Sequence, residues 1–173
     1  MPKPEQISGA PIPMKIGNTT YRAKTLSDRD YDELSAYCRF KFLEHKKVDI
    51  DALPLTKEER QEMLTSAMLA SEQVNFNSPE GSKIINSSRE GIARVGWQMC
   101  TAFHPNVTYE EFLKEFLGDE SDGQLVASYS EVNRVFIYLN IPSKEDLSED
   151  EGDSDKEPKS NEGNDLSNAD PAA

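Results

Sequence analysis

The chain has few of the residues from which active sites are commonly built. Its 173 residues include two histidines, two cysteines and one tryptophan. His45 and His104 belong to no recognisable metal-ligand cluster, and the glycines form no phosphate-binding loop. Cys100 and His104 are one helical turn apart, but nothing beside them supplies an orienting group or an oxyanion hole. The sequence therefore predicts a protein that is not an enzyme and that uses no cofactor and no metal.

Clusters of basic residues and long apolar runs are also lacking. The chain has 19 Lys and Arg against 32 Asp and Glu, so its formal net charge is −13 and its pI is about 4.6. The densest basic pair is Lys46–Lys47, which is too little to displace counterions from phosphate, and nucleic acid is not an expected partner. No segment approaches the length of a membrane span or resembles a signal peptide. We therefore expect a soluble, intracellular protein without membrane contact.

The last 31 residues, 143–173, contain almost nothing apolar. Leu147 and Leu166 are their only large hydrophobic residues. Eleven acidic residues against three lysines give this segment a net charge of −8, which leaves −5 of the total for residues 1–142. Such a segment buries too little to offset the entropy of ordering its backbone, so we predict a disordered acidic tail. Residues 146–157 do not form an EF-hand loop, because the glycine stands at the seventh position where the sharp turn needs it sixth.

The rest of the chain divides into a short arm and one domain. Residues 1–13 contain four prolines and no periodic pattern, which predicts a flexible N-terminal arm. Residues 14–142 are long enough for one domain with a core. This domain is predicted to begin with a β-hairpin over residues 14–23, with a type II′ turn at Gly17-Asn18. Ile16 and Tyr21 should lean on helices, because a lone hairpin is marginally stable in water.

Capping signals and apolar residues with a period near 3.6 predict about five helices. Ser27 caps the first helix, and capping boxes at Thr56–Glu59 and Thr108–Glu111 open two others. Gly91 and Gly96 lie inside the predicted third helix, where close packing against a neighbouring helix near Trp97 is the expected reason for them and a kink is the alternative. The fold class is thus mainly α, a bundle of about five helices with a small hairpin. The predicted helical ranges are 28–46, 57–74, 79–103, 109–117 and 124–139.

Several side chains carry specific expectations. His104 precedes a proline at a helix end, where its imidazole is expected to bond the last carbonyls. Cys38 and Cys100 lie in apolar helical patterns and are expected to be buried, reduced thiols, with a disulfide as the alternative. The inward face of the second helix is expected to consist of Met63, Leu64, Ala67, Met68 and Val74.

Two segments together carry a pattern found in one protein family. Residues 16–30, IGNTTYRAKTLSDRD, place a Gly-polar turn before a tyrosine, a basic residue, a leucine and an aspartate at a helix start. Residues 92–117 place an apolar helix with a tryptophan before the run HPNVTYEEF. Both segments resemble the tail assembly chaperones of long-tailed bacteriophages. They cover about a third of the chain, and residues 56–74 have no counterpart in the pattern.

The resemblance implies a non-enzymatic chaperone with two phage partners. Proteins of this family bind the tape measure protein, keep it soluble and help to recruit tail tube protein. They act in the host cytoplasm and leave before the virion is complete. A virion structural or connector subunit, and an acidic helical interaction protein acting as an inhibitor or adaptor, remain alternative functions. Whether the chain forms a homo-oligomer is left open.

The predicted partner-binding site lies on the helix over residues 109–117. This helix has more apolar area than nine residues normally bury by themselves, and such an excess is typical of a docking surface. Burial of the same side chains in the core is the alternative explanation. The candidate residues are Tyr109, Phe112, Leu113, Phe116 and Leu117.

Overall fold

A β-hairpin followed by helices makes up the protein, as the sequence predicts. The computed structural model describes residues 10–118 and 122–140. Most of the predicted arm, part of the polar loop before the last helix, and the whole segment 143–173 lie outside the described residues. The elements are β1 (Ile12–Ile16), β2 (Thr19–Ala23), α1 (Asp28–Asp51), α2 (Lys57–Ser71), α3 (Pro79–Asn86), α4 (Arg89–Cys100), α5 (Tyr109–Leu117) and α6 (Asp122–Asn140).

The predicted caps open the helices. In α1, α2 and α5 the N-cap hydroxyl accepts a backbone N–H from the third helical residue, whose carboxylate accepts the N-cap N–H in return. The N-caps are Ser27, Thr56 and Thr108. Ser78 caps α3 with Pro79 at the first helical position, and Gly118, with a φ of +65°, ends α5.

The predicted third helix is in fact two helices. It breaks at Ser87-Ser88, where the Ser88 hydroxyl accepts the Gly91 N–H at 2.9 Å and starts α4. A Cβ at Gly91 would lie 2.4 Å from the Ile85 carbonyl oxygen, so the tight α3–α4 junction requires glycine there. Helix α4 then ends at Cys100, before the predicted end at Phe103.

Two further boundaries differ from the prediction. Strand β1 begins at Ile12, two residues before the expected start of the hairpin. Helix α1 runs to Asp51 rather than to about Lys46. No proline or glycine interrupts the residues between these two points, and Ile50 near the end of α1 is buried.

The hairpin turns at Gly17-Asn18, as predicted, and buries one face. Gly17 has a φ of +57°, which a two-residue hairpin turn requires. Alternate residues of both strands point into the protein, and the pairs Ile12–Ala23 and Met14–Tyr21 lie on that buried side. This confirms the expectation that the hairpin leans on helices.

The outer edge of β1 is covered by α6. The Lys15 N–H donates to the Glu131 carboxylate at 3.1 Å, and Arg134 donates to the Pro13 carbonyl at 3.4 Å. An ion pair of 2.8 Å joins Glu131 to Arg134 and holds both side chains at this edge. Proline at position 13 is tolerated because α6 uses only its carbonyl.

The outer edge of β2 is covered by α4 and the segment after it. The Lys24 N–H donates to the Met99 carbonyl at 2.9 Å, and the Arg22 N–H donates to His104 Nε2 at 2.9 Å. Helices and their connections thus occupy both edges of a sheet that would otherwise be open to pairing.

Helix α4 is the centre of the core. Eight of its twelve residues are buried, and it packs against α1, α3, α5, α6 and β2. A Cβ at Gly96 would lie 2.8 Å from Val132 Cγ2 and 3.1 Å from Phe112 Cζ, so the predicted close packing explains this glycine. Cys38 and Cys100 are both buried and free, as expected.

Candidate partner-binding surface

Two of the five residues predicted to form a docking site on α5 are buried in the core. Phe112 and Phe116 are 0% exposed and belong to the core cluster. Helix α5 packs against both α4 and α6, and Phe112 additionally contacts the Tyr21 ring at 5.1 Å between centroids. Both phenylalanines are therefore core residues that no partner reaches in the folded chain. The other three candidates, Tyr109, Leu113 and Leu117, are half-buried at the edge of the core.

The exposed large hydrophobic side chains are concentrated elsewhere. Of the eight such side chains in the described part of the chain, six lie on α1, on α2 or on the connection between them. We call residues 40–71, which contain all six, the helix pair. The six are Phe40, Val48, Leu53, Met63, Met68 and Leu69.

Helix α2 is thinly packed. It contacts α1 and makes at most marginal contact with any other described element. Only Ala67 and Ser71 of its fifteen residues are buried. The expectation that Met63 and Met68 face inward is wrong, because α1 covers only a narrow strip of α2 and both methionines lie outside it. The apolar residues of α2 are thus distributed around the helix, and most of them are not covered by any of the residues that the structure describes.

Polar contacts fix the position of α2 against α1. Arg60 of α2 forms an ion pair with Asp51 at the end of α1. Hydrogen bonds from the backbone and hydroxyl of Thr56 hold the pKa of the Glu59 carboxyl below its usual value, so the capping box stays charged at neutral pH. One partly exposed ion pair thus joins the two helices close to their connection, while the sides of the helix pair remain exposed.

A cavity lies next to the helix pair, between α1, α4 and the start of α5. Its volume is about 510 Å³, and Phe40 of the helix pair lines it. The Arg94 guanidinium inside it stacks between two aromatic rings, 4.8 Å from the Tyr37 centroid and 4.2 Å from the Tyr109 centroid. Trp97 also packs edge-on against Tyr109, with 5.7 Å between the ring centroids.

Two polar atoms at this cavity have no hydrogen-bond partner among residues 10–118 and 122–140. They are the Tyr37 hydroxyl and Arg94 Nε, and both are buried. By contrast, the Tyr109 hydroxyl donates to the Glu90 carbonyl at 2.9 Å, and burial raises the pKa of Tyr109 to about 12. No sequence signal points to this cavity, because Tyr37 and Arg94 are far apart in the chain and each stands in an ordinary helical pattern.

The side chains with chemical reactivity have structural roles. The sequence predicts that His104 bonds the last carbonyls of a helix. Instead, its Nε2 accepts the Arg22 N–H, and its ring packs edge-on against Tyr21. Burial raises the pKa of Cys38 to about 11 and that of Cys100 to about 12, so both thiols stay protonated at neutral pH. Residues 10–118 and 122–140 contain no group of three or more side chains suited to hold a metal ion.

Comparison of the chain with protein-family models, with curated proteins and with solved structures found no match. The resemblance to tail assembly chaperones therefore rests on the two sequence segments alone. Within the described residues, no helix combines the length and the apolar character needed to cross a membrane.

Proposed function

We propose that this protein is a non-enzymatic chaperone that binds a long helical client through the helix pair. On the resemblance, the client is the tape measure protein of a long-tailed phage, and the chaperone also helps to recruit tail tube protein. It acts in the host cytoplasm and is absent from the finished virion. The observation that carries the proposal is the exposed apolar surface of the helix pair.

This surface suits a helical client for a physical reason. Met68 and Leu69 are 62% and 63% exposed on a helix that the described residues cover on one side only, so a third helix can pack beside α1 and α2. Burying one large apolar side chain contributes about 1.5–3 kcal/mol, so several such contacts offset the cost of holding the client. A tape measure protein is a helical rod that aggregates when its apolar stripe is left uncovered.

The net charge of −13 supports the same role. A complex that carries strong net charge resists association with further copies, which is what a solubilising partner must supply. Most of this charge lies in residues 143–173, away from the apolar helix pair in the sequence. The apolar residues and the main source of charge are thus carried by different segments of the chain.

Co-expression with a tape-measure fragment tests the proposal. Replacing both Met68 and Leu69 by Asp is expected to abolish solubilisation of the fragment, because two charges then face the client. The matched control replaces Val126 and Ile137 by Asp, since these are 64% and 55% exposed on α6. The control is expected to solubilise the client as well as the unmodified chain does. Equal loss in both variants, or loss in neither, would contradict the proposal.

Two further measurements separate the alternative functions. A virion structural or connector subunit would be detected by mass spectrometry in purified particles, whereas a chaperone would be absent from them. An acidic inhibitor would compete with nucleic acid for a basic protein and would lose this activity without residues 143–173. If the helix pair of one copy instead packs against the helix pair of a second copy, the chain sediments as a dimer. The Asp substitutions at Met68 and Leu69 then convert it to a monomer.

A further inference from the structure

A smaller cavity lies where α3, α4 and α6 meet the connection that follows α2. Its volume is about 230 Å³. The rings of Phe76 and Phe136 line it and pack edge-on against each other, with 6.0 Å between their centroids. The buried part of the lining is aliphatic and consists of Ile85, Ile92, Val95 and Val132.

The remaining lining residues are polar and uncharged. They are Asn77, Ser82, Asn86 and Asn133. The first three are exposed, so the cavity opens to solvent on their side. Asn86 donates to the Ser82 carbonyl at 2.9 Å, whereas the side-chain amides of Asn77 and Asn133 make no hydrogen bond within the described part of the chain. Both of these amides are therefore available to a ligand at the mouth of the cavity.

The size and charge of the cavity limit what it can hold. An engineered protein cavity of about 150 Å³ binds benzene, so a volume of about 230 Å³ is enough for one aromatic side chain. Sites for cofactors and drug-sized ligands usually have about 300–1,000 Å³, which is more than this cavity offers. None of the described residues that line it is charged, although 29% of the chain is, so nothing here neutralises a phosphate or a carboxylate.

We propose that this cavity binds the side chain of one phenylalanine, carried by an extended segment of a partner polypeptide. The guest ring packs against Phe76 and Phe136 in the edge-on or offset geometry that aromatic rings prefer. Phenylalanine suits the cavity better than tyrosine, because the aliphatic inner part offers no hydrogen bond to a hydroxyl or to water. Burial of a single aromatic anchor in such a pocket is a common source of affinity between proteins.

The asparagines at the mouth explain why the partner segment is extended. A side-chain amide offers a donor and an acceptor, which match the C=O and N–H of one peptide group. In a helix these groups are already bonded within the helix, whereas an extended segment leaves them free on both sides of the anchor. The partner thus differs from the helical client of the helix pair, and the proposal goes beyond the chaperone function without depending on it.

NMR titration of the full chain with a blocked amino acid tests the proposal. N-acetyl-phenylalanine N-methylamide carries one aromatic ring between two peptide groups, and its ring current is expected to shift the methyl signals of Ile92 and Val132. The corresponding aspartate derivative carries the same peptide groups with a charged side chain and should shift neither signal. Replacing Met68 and Leu69 by Asp should leave the titration unchanged, because neither residue lines this cavity.

Two variants locate the bound probe. Ser82→Phe places a large side chain at the mouth and should abolish the shifts, whereas Glu80→Phe, exposed on the same helix outside the cavity, should not. Asn133→Leu keeps a side chain of similar size but removes the amide. The phenylalanine probe should then bind about tenfold more weakly, while benzene binds as before. If Ser82→Phe does not fold, Asn133→Leu alone decides the result.

Three results would overturn the proposal. The first is the absence of methyl shifts up to the solubility limit of the phenylalanine probe. The second is an equal response to the aspartate derivative, or an equal response of a folded Ser82→Phe variant, since the probe would then bind without selectivity or elsewhere. The third is an unchanged affinity for the probe in Asn133→Leu, because the cavity would then accept small apolar molecules and not a peptide segment.

Discussion

Gly96 shows how a single missing side chain sets the distance between helices. At this position α4 approaches α5 and α6 so closely that a Cβ would lie 2.8 Å from Val132 Cγ2 and 3.1 Å from Phe112 Cζ. Both neighbours are completely buried or nearly so and cannot move aside freely. Glycine at this position lowers helix propensity but allows three helices to pack closely. This close packing is what a glycine inside a helical pattern predicts.

We predict that Gly96→Ala destabilises the protein. Overpacking in a dense core typically costs about 1–3 kcal/mol, and because both contacted side chains are buried we expect a cost in the upper part of this range, above the gain of about 1 kcal/mol from replacing Gly by Ala in a helix. Urea unfolding followed by circular dichroism measures the change. Gly123→Ala is the control, because nothing lies within 4 Å of a Cβ there, and it should be neutral or stabilising. A Gly96 variant as stable as the Gly123 variant would show that the three helices separate easily.

The two buried thiols predict a loss of stability at alkaline pH. Burial raises the pKa of Cys38 to about 11 and of Cys100 to about 12, from an ordinary value of 9.0. In the unfolded chain both thiols ionise from about pH 9, whereas in the folded chain they keep their protons. The stability they contribute is therefore fully present below pH 9 and is lost as the pH rises through the folded pKa values.

Urea unfolding at several pH values tests this expectation. Between pH 9 and 11 the free energy of unfolding should fall, and it should fall less steeply when both cysteines are replaced by Ala. Tyrosines also ionise in this range, so the contribution of the thiols is the difference in the pH dependence of the unfolding free energy between the unmodified chain and the Cys→Ala variant. A thiol reagent at pH 8 should react only after unfolding. Rapid reaction of the folded protein would contradict the buried position of both thiols.

At the scale of elements, the β-hairpin depends on the helices at its edges. A two-stranded sheet is marginal alone, and here α6 contacts one edge while α4 and His104 contact the other. His104→Ala removes the acceptor of the Arg22 N–H and the edge-on contact with Tyr21.

We predict that His104→Ala lowers the free energy of unfolding by about 1 kcal/mol, because one hydrogen bond and one aromatic contact are lost and water partly replaces the acceptor. Amide exchange at Arg22 should become faster. His45→Ala is the control, since His45 is exposed on α1, and it should change neither quantity. If His45→Ala destabilises as much, the effect is not specific to the sheet edge.

The capping signals of the helices could be read from the sequence because they are local. Ser27, Thr56, Ser78 and Thr108 each act within three residues of the chain. The break at Ser88 was less visible, since Ile85 and Ile92 keep the same apolar face on both sides of it. The signal there is a serine N-cap followed three residues later by glycine. Position 91 requires glycine because a Cβ there would clash with the backbone of the neighbouring turn.

At the scale of the whole molecule, the sequence could not decide which apolar residues form the core. Phe112 and Met68 both stand in amphipathic helical patterns, yet one is fully buried and the other is 62% exposed. The difference is that α5 lies between two helices, whereas α1 is the one described element against which α2 packs to more than a marginal extent. Which helices become neighbours is a tertiary property, and the same holds for the meeting of Tyr37 and Arg94.

This uneven packing predicts uneven local stability. Helix α2 buries two of fifteen residues and α4 buries eight of twelve, so opening α2 exposes little apolar surface. We expect the amides of α2 to exchange with solvent orders of magnitude faster than those of α4, which should open only with global unfolding. Hydrogen exchange followed by mass spectrometry measures both helices in one experiment, with α4 as the internal control.

A bound client should then protect α2 selectively. Because the client covers the exposed sides of the helix pair, exchange in α2 should slow on addition of a tape-measure fragment, while exchange in α6 around Val126 and Ile137 stays the same. Replacing Met68 and Leu69 by Asp should remove the protection. If α2 alone is already as slow as α4 at low protein concentration, its packing against α1 is sufficient. The exposed residues would then not need a partner for stability. If α2 slows only as the protein concentration rises, a second copy of the chain covers it instead of a client.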